Sequence, residues 1–303
     1  MLDVALLGCG GMMPIPGRFL TSLLLRLNGR FLMIDCGECT QVTLKMLGWG
    51  VKNIDCICIT HVHADHISGL PGLLLTIGNS GRVEPLKMIG PKGLREVVKS
   101  LCVIAPELPF DVEIIEITDD TKDIKINDFK VNVLKGNHNI LCYGYKIEVP
   151  RKGKFDVKKA KTLNIPVNYW SLLQNEETIT HDGQNYTPDM VMGEERPGIK
   201  IGYMTDTRPL ETMIEFFKDS DLFIGEGIYG DDEKIHKAKE YHHSTFSETA
   251  TIAKNANVKK LWLTHYSPSL TEPEEYLHVA QEIFQNTELG FDGKTTIIPF
   301  PEI

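Results

Sequence analysis

Four side chains able to hold a metal ion fall within six residues in Thr60-His61-Val62-His63-Ala64-Asp65-His66. His61 and His63 are two apart, so an extended backbone points both imidazoles to the same side. Asp65 and His66 then occupy the turn that opens the next helix. This arrangement offers one cation two nitrogens and a neighbouring cation one oxygen and one nitrogen, ligand types that suit zinc and that also accept manganese. As a purely structural feature, three histidines and an aspartate beside an apolar strand would be a costly polar cluster.

Three further candidates stand just beyond predicted strands. His138 follows a strand ending at Leu134, Asp206 follows Tyr203-Met204-Thr205, and His265 follows Leu261-Trp262-Leu263-Thr264. In an α/β architecture the carboxyl ends of strands share one rim, where catalytic groups collect. A single His or Asp at any of these places is more often structural. Together with the first motif they form a set.

The elements that must position these residues are legible in outline. Residues 3–7, 22–27 and 31–34 read as short strands, with Leu27-Asn28-Gly29-Arg30 a hairpin signal, and 54–60 is an apolar, β-rich strand that delivers the histidine motif. More strands are expected at 86–89, 112–117, 129–134, 143–149, 200–204, 222–225 and 261–264. Helices are expected at 41–47, 69–78, 93–101, 211–217, 247–255 and 273–284. From 150 to 198, proline and glycine punctuate basic and polar stretches, which marks an arm inserted in one large domain spanning 1–303.

Composition fits an enzyme-sized globular chain: 303 residues, 42% hydrophobic and 24% charged. No targeting segment is recognised at the start, and the longest apolar run is too short to span a bilayer, so a cytoplasmic protein is expected. The seven cysteines, an odd number, read as reduced thiols; Cys36-Gly-Glu-Cys39 lacks a second ligand pair, and Cys56 and Cys58 read as core. A net charge of −9 disfavours a nucleic-acid binder overall, yet Arg151, Lys152, Lys154, Lys158, Lys159 and Lys161 stand against a single Asp156 within the arm. That patch is either a solvated face or an RNA contact, and Tyr169-Trp170 nearby would serve stacking or packing.

The chain resembles the metallo-β-lactamase superfamily and, within it, the ribonuclease Z family, endonucleases that remove 3′ trailers from precursor tRNA. The resemblance runs over nearly the whole length. It is carried by Leu7-Gly8-Cys9-Gly10, Asp35-Cys36-Gly37-Glu38, the histidine motif with Gly69-Leu70-Pro71-Gly72, Gly90-Pro91-Lys92-Gly93, Tyr143-Gly144-Tyr145, Gly153-Lys154-Phe155-Asp156, Thr205-Asp206-Thr207-Arg208-Pro209, His243-Ser244-Thr245 and Leu263-Thr264-His265-Tyr266-Ser267-Pro268. It implies an αββα sandwich with one zinc held by His61, His63 and His138, a second held by Asp65, His66 and His265, and Asp206 bridging them. It further implies a metal-bound hydroxide as nucleophile, oriented or deprotonated by Asp65, and His243 as a catalytic histidine whose orientation Glu226 fixes. A homodimer in which one subunit's arm grips RNA cleaved by the other is also implied.

Two segments depart from the family pattern. Gly225-Glu226-Gly227-Ile228 stands where the family usually reads His-Glu-Ala-Thr, and Ile165-Pro166-Val167-Asn168-Tyr169-Trp170 stands where the arm usually has a Gly-Pro turn. Two alternatives to the endonuclease therefore remain open: a phosphodiesterase or other ester hydrolase acting on a small substrate, and a non-catalytic RNA-binding protein that kept the fold.

Overall fold

The computed structural model describes residues 1–118, 121 and 123–302. The chain folds as two compact units: residues 1–148 with 199–299, and residues 149–198 with the C-terminal end from Phe300.

The larger unit holds two seven-stranded sheets. In chain order the strands are β1 (Leu2–Gly8), β2 (Ser22–Leu27), β3 (Arg30–Ile34), β4 (Ile54–Cys58), β5 (Leu86–Gly90), β6 (Val112–Glu116), β7 (Ile124–Ile126), β8 (Phe129–Lys135), β9 (Tyr143–Arg151), β10 (Ile179–His181), β11 (Gln184–Tyr186), β12 (Arg196–Met204), β13 (Leu222–Glu226), β14 (Leu261–Thr264), β15 (Thr287–Leu289) and β16 (Lys294–Ile298). The first sheet runs β16-β1-β2-β3-β4-β5-β6 and the second β15-β14-β13-β12-β9-β8-β7. The first opens as an antiparallel meander whose β2–β3 turn is the expected Asn-Gly hairpin. Asn28 and Gly29 sit at φ 50° and 76°, the positive pair that a twist-matched two-residue turn requires. From β3 to β6 pairing is parallel, as it is from β12 to β15.

Period-two alternation sorts the first sheet's side chains. Ala5, Leu7, Leu24, Met33, Ile57 and Met88 form one buried face with helices Thr40–Met46, Leu70–Asn79 and Leu94–Leu101. The intervening Val4, Leu6, Leu25, Leu32 and Ile34 are equally buried, and Tyr145 of β9 donates a hydrogen bond to Ile59 O beyond the end of β4 (2.7 Å). Strands covered on both faces read as continuous apolar runs, which is why β4, β13 and β14 are buried at every position. Helices Thr212–Phe216, Phe246–Asn255 and Leu277–Gln281 belong to the second sheet's half of the chain, the long one packing on β13 and β14.

Most expected elements are present within one or two residues. The 273–284 segment instead divides into a 3₁₀ turn, Pro273–Tyr276, opened by a proline whose fixed φ suits a first helical position, and a short helix, Leu277–Gln281. The helix Ile235–Tyr241, the strands β15 and β16, and the arm's own elements were not anticipated. The arm contains helices Val157–Thr162 and Trp170–Gln174 and the β10–β11 hairpin around a small core of Ala160, Ile165, Leu173, Ile179, Tyr186 and Val191. No helix among the described residues is long and apolar enough to cross a membrane.

Candidate metal centre and active site

Each candidate ligand leaves a strand at its carboxyl end. His61 and His63 lie three and five residues past the end of β4, and His63, extended at φ −68° and ψ 151°, immediately precedes the short helix Ala64–Ile67 that carries Asp65 and His66. His138 follows β8, Asp206 follows β12, Glu226 ends β13 and His265 follows β14. Asp206 and His265 adopt φ of 54° and 61°, as does Asp35 after β3 at 59°. Left-handed backbone at a non-glycine residue costs about 1–3 kcal/mol and concentrates at functional sites. Here it turns three strand-end side chains into the same space.

The donor atoms converge in overlapping groups, in each of which all donors lie within 4.8 Å of one another: His61, His63 and His138; Asp65, His66 and His265; His61, His66 and Asp206, which joins the first two; and Asp206, Glu226, His243 and His265. His61 Nε2 lies 3.0 Å from His63 Nδ1, which is 3.4 Å from His138 Nε2, and His66 Nε2 lies 3.2 Å from His265 Nε2. Ligands bound tetrahedrally at about 2.0–2.1 Å stand about 3.3–3.4 Å apart, so this spacing is that of a cation's coordination shell. Asp206 lies between the groups. Its Oδ1 is 3.8 Å from His61 Nε2 and 3.9 Å from His138 Nε2, and its Oδ2 is 3.1 Å from His66 Nε2 and 3.3 Å from His265 Nε2. That Oδ2 is buried without a hydrogen bond of good geometry, its nearest partners being those two imidazole nitrogens, a position in which a cation would satisfy it. The donor set therefore fits two divalent cations.

The outward-facing nitrogens are held as metal-ligating imidazoles require. His66 Nδ1 donates to Asp35 Oδ2 (2.8 Å), His265 Nδ1 to Glu226 Oε1 (3.1 Å) and His138 Nδ1 to the His242 carbonyl (3.3 Å). His61 Nδ1 lies 3.0 Å from Thr60 Oγ1, whose hydroxyl donates to Asp35 (2.9 Å). Asp65 Oδ2 accepts the backbone N–H of Met12 (2.7 Å). Asp35, Thr60 and Met12 were not singled out from the sequence as site residues. The signal for Asp35 was available, since it is a carboxylate directly after an apolar strand on the same rim.

Burial and charge act differently on the two groups. Burial lowers the pKa of His61, His63 and His138 below the ordinary imidazole value, the nearest imidazoles adding to this at His61. Burial would do the same to His66 and His265, but carboxylates led by Asp206 outweigh it and raise both, His265 to about 10. Asp65 and Asp206 resist burial because surrounding imidazoles hold both carboxyls well below their ordinary range.

His243 stands beside this cluster, its Nδ1 2.6 Å from Glu226 Oε1 and 3.8 Å from Asp206 Oδ1. Glu226 also accepts from the backbone N–H of Ser244 (2.7 Å). One buried carboxylate thus fixes both His243 and His265. Burial would lower the His243 pKa, but Glu226 outweighs it and raises the value. A cavity of about 420 Å³ opens over His63, Asp65, His138, Asp206, His243 and His265.

The basic candidates all lie in the smaller unit. Lys154, Lys158, Lys159 and Lys161 are exposed, as is Lys152, 3.5 Å from Glu176. Asp156 caps their helix by accepting from the backbone N–H groups of Lys158 and Lys159. Arg151 is half-buried, donating to Pro301 O (2.8 Å) with its guanidinium over Phe300. Trp170 donates to Ile165 O and lies against Phe155, so this ring packs within the arm.

A family model described as anti-Pycsar protein Apyc1 matches residues 2–287. A ribonuclease Z from Lachnospira eligens is 55% identical over 302 residues, covering 100% of this chain and 99% of its own. Among solved structures, the short form of human tRNase Z is similar with a TM-score of 0.70 at 26% identity, covering 98% of this chain and 100% of that one. The metallo-β-lactamase-fold protein YhfI from Bacillus subtilis is similar with a TM-score of 0.71 at 19% identity, covering 98% and 100%. With its donor groups on the sheet rim and this full-length likeness, the chain belongs to the ribonuclease Z family of the metallo-β-lactamase fold and, by the same measure, to the family described as anti-Pycsar protein Apyc1.

Proposed function

We propose that the protein is a metal-dependent endoribonuclease that removes 3′ trailers from precursor tRNA, with two zinc ions per chain, manganese being an alternative. The observation that carries this reading is the double donor group around Asp206, on a chain more than half identical along its length to a ribonuclease Z. His61, His63 and His138 would hold one cation and Asp65, His66 and His265 the other, with Asp206 between them. Bound there, two divalent cations lower the pKa of water and neutralise charge developing on the phosphoryl oxygens. Asp65, anchored by the Met12 N–H, orients the attacking water and accepts its proton. His243, fixed through Nδ1 by Glu226, presents Nε2 to the cavity and protonates the leaving oxygen. The arm, with Arg151, Lys152, Lys154, Lys158, Lys159 and Lys161, serves as the tRNA-binding exosite of a cytoplasmic homodimer. Incubation with precursor tRNA bearing or lacking a trailer, mapped at nucleotide resolution, tests the reading: cleavage after the discriminator base is expected, and an uncut precursor refutes it.

A second reading is favoured by two observations, the match to the Apyc1 family model and the Gly225-Glu226-Gly227-Ile228 segment. It is a phosphodiesterase acting on a small substrate with the same residues. Hydrolysis of a small chromogenic phosphodiester with no cleavage of precursor tRNA would select it.

A further inference from the structure

Above the donor groups the cavity wall is not inert. It is lined by Tyr229, Lys237 and Tyr241, none of which the reactions above employ. Tyr229 lies on the loop after β13. Lys237 and Tyr241 are four apart on the helix Ile235–Tyr241, so they share one face, one turn apart, while Ala238 takes the buried side. Burial first, and the Tyr241 phenol second, raise the Tyr229 pKa.

Among the described residues neither tyrosine ring stacks on another aromatic group, neither hydroxyl makes a hydrogen bond, and Lys237 has no ion pair. Tyr241 is 52% exposed. Aromatic faces left open over a phosphate-processing centre are suited to nucleobases, because every base has a π-face to stack. An unpaired ammonium beside them suits a phosphate oxygen as a point charge. We propose that Tyr229 and Tyr241 form a stacking subsite for a nucleobase flanking the scissile phosphate, with Lys237 contacting a phosphate oxygen of the same nucleotide. This deepens the phosphodiester reading and rests on it.

The test is equilibrium binding of adenosine and uridine 5′-monophosphates against ribose 5-phosphate, using the full chain as purified. The base should improve affinity about 5- to 140-fold, the range that stacking on aromatic side chains supplies. The ratio should fall close to one in the double variant Tyr229→Ala/Tyr241→Ala and persist in Tyr229→Phe/Tyr241→Phe, which keeps the rings and controls for folding. Lys237→Gln should weaken all three ligands alike, by about two- to fivefold. A wild-type ratio near one, or a ratio unchanged in the double alanine variant, overturns the subsite, and unchanged affinity in Lys237→Gln removes the phosphate contact. Cleavage of precursor tRNA, measured in parallel, separates the two ideas: a base-dependent ratio without cleavage refutes the endonuclease reading alone, and cleavage without a ratio refutes the subsite alone.

Discussion

Asp206 is the residue on which the two donor groups depend, because each carboxylate oxygen faces a different one. Removing it leaves five imidazoles and Asp65 with too little negative charge to hold two divalent ions. Asp206→Ala is therefore expected to lower the metal content of purified protein below that of wild type, measured by elemental analysis, and to abolish hydrolysis. His243 belongs to neither triad, so His243→Asn should keep the wild-type metal content while kcat falls by about 10²- to 10⁴-fold, the usual weight of a general acid. Equal metal loss in both variants would make His243 a structural ligand instead.

At the scale of elements, the segment bearing Asp65 and His66 is seated by a close backbone crossing. A Cβ on Gly69 would lie 2.1 Å from Gly37 O, and one on Gly37 would lie 2.5 Å from Asp65 O. Gly69 N also donates to Cys36 O (2.9 Å) and Cys36 N to His66 O (2.8 Å). Gly69→Ala must push the two loops apart, so reduced metal content and a lower Tm are expected, against no effect if the crossing is slack. On the edge strand of the second sheet, Glu288 of β15 accepts from Lys260 (2.6 Å) and Trp262 (3.0 Å) and lies 2.9 Å from Lys294. Burial would raise its pKa, but the hydrogen bonds from Lys260 and Lys294 outweigh it and lower the value to about 2. Lys294 is itself lowered, since burial of its ammonium outweighs the pull of Glu288. A depressed carboxylate stabilises the fold above its ordinary pKa and ceases to do so as pH falls through the folded value. The stability difference between wild type and Glu288→Gln, from denaturant titrations, should accordingly be constant above about pH 5.5, shrink as pH falls through both values and level off near about pH 1. A difference independent of pH over that window would show that the ionised form is not what matters.

For the whole molecule, the net charge of −9 repels nucleic acid unless cations are gathered locally, and the smaller unit gathers them. Lys158, Lys159 and Lys161 are exposed around one short helix whose Ala160 is buried in that unit's own core. The triple change to Glu should leave folding and hydrolysis of a small phosphodiester intact while weakening precursor tRNA. Each lost phosphate contact reduces the salt slope of log K by about 0.7–0.9, up to about 3 in total. Unchanged affinity and slope would take the arm out of RNA recognition.

The donors in His61–His66 were legible from local spacing, since a two-residue repeat and the turn into a helix follow from backbone geometry alone. His138, Asp206 and His265 were found by their places after strands and by the family resemblance. The helix Ile235–Tyr241 escaped because seven mostly polar residues carry little periodicity, and with it went Lys237 and Tyr241. Asp35, Thr60 and the Met12 N–H escaped because their roles are contacts with distant imidazoles and carboxylates. Residue types and their order along the strands were therefore determined locally. Which oxygen of Asp206 faces which triad, and that Glu226 joins His243 to His265, was decided only by tertiary structure, because those distances depend on the order in which strands remote in sequence pair within the two sheets.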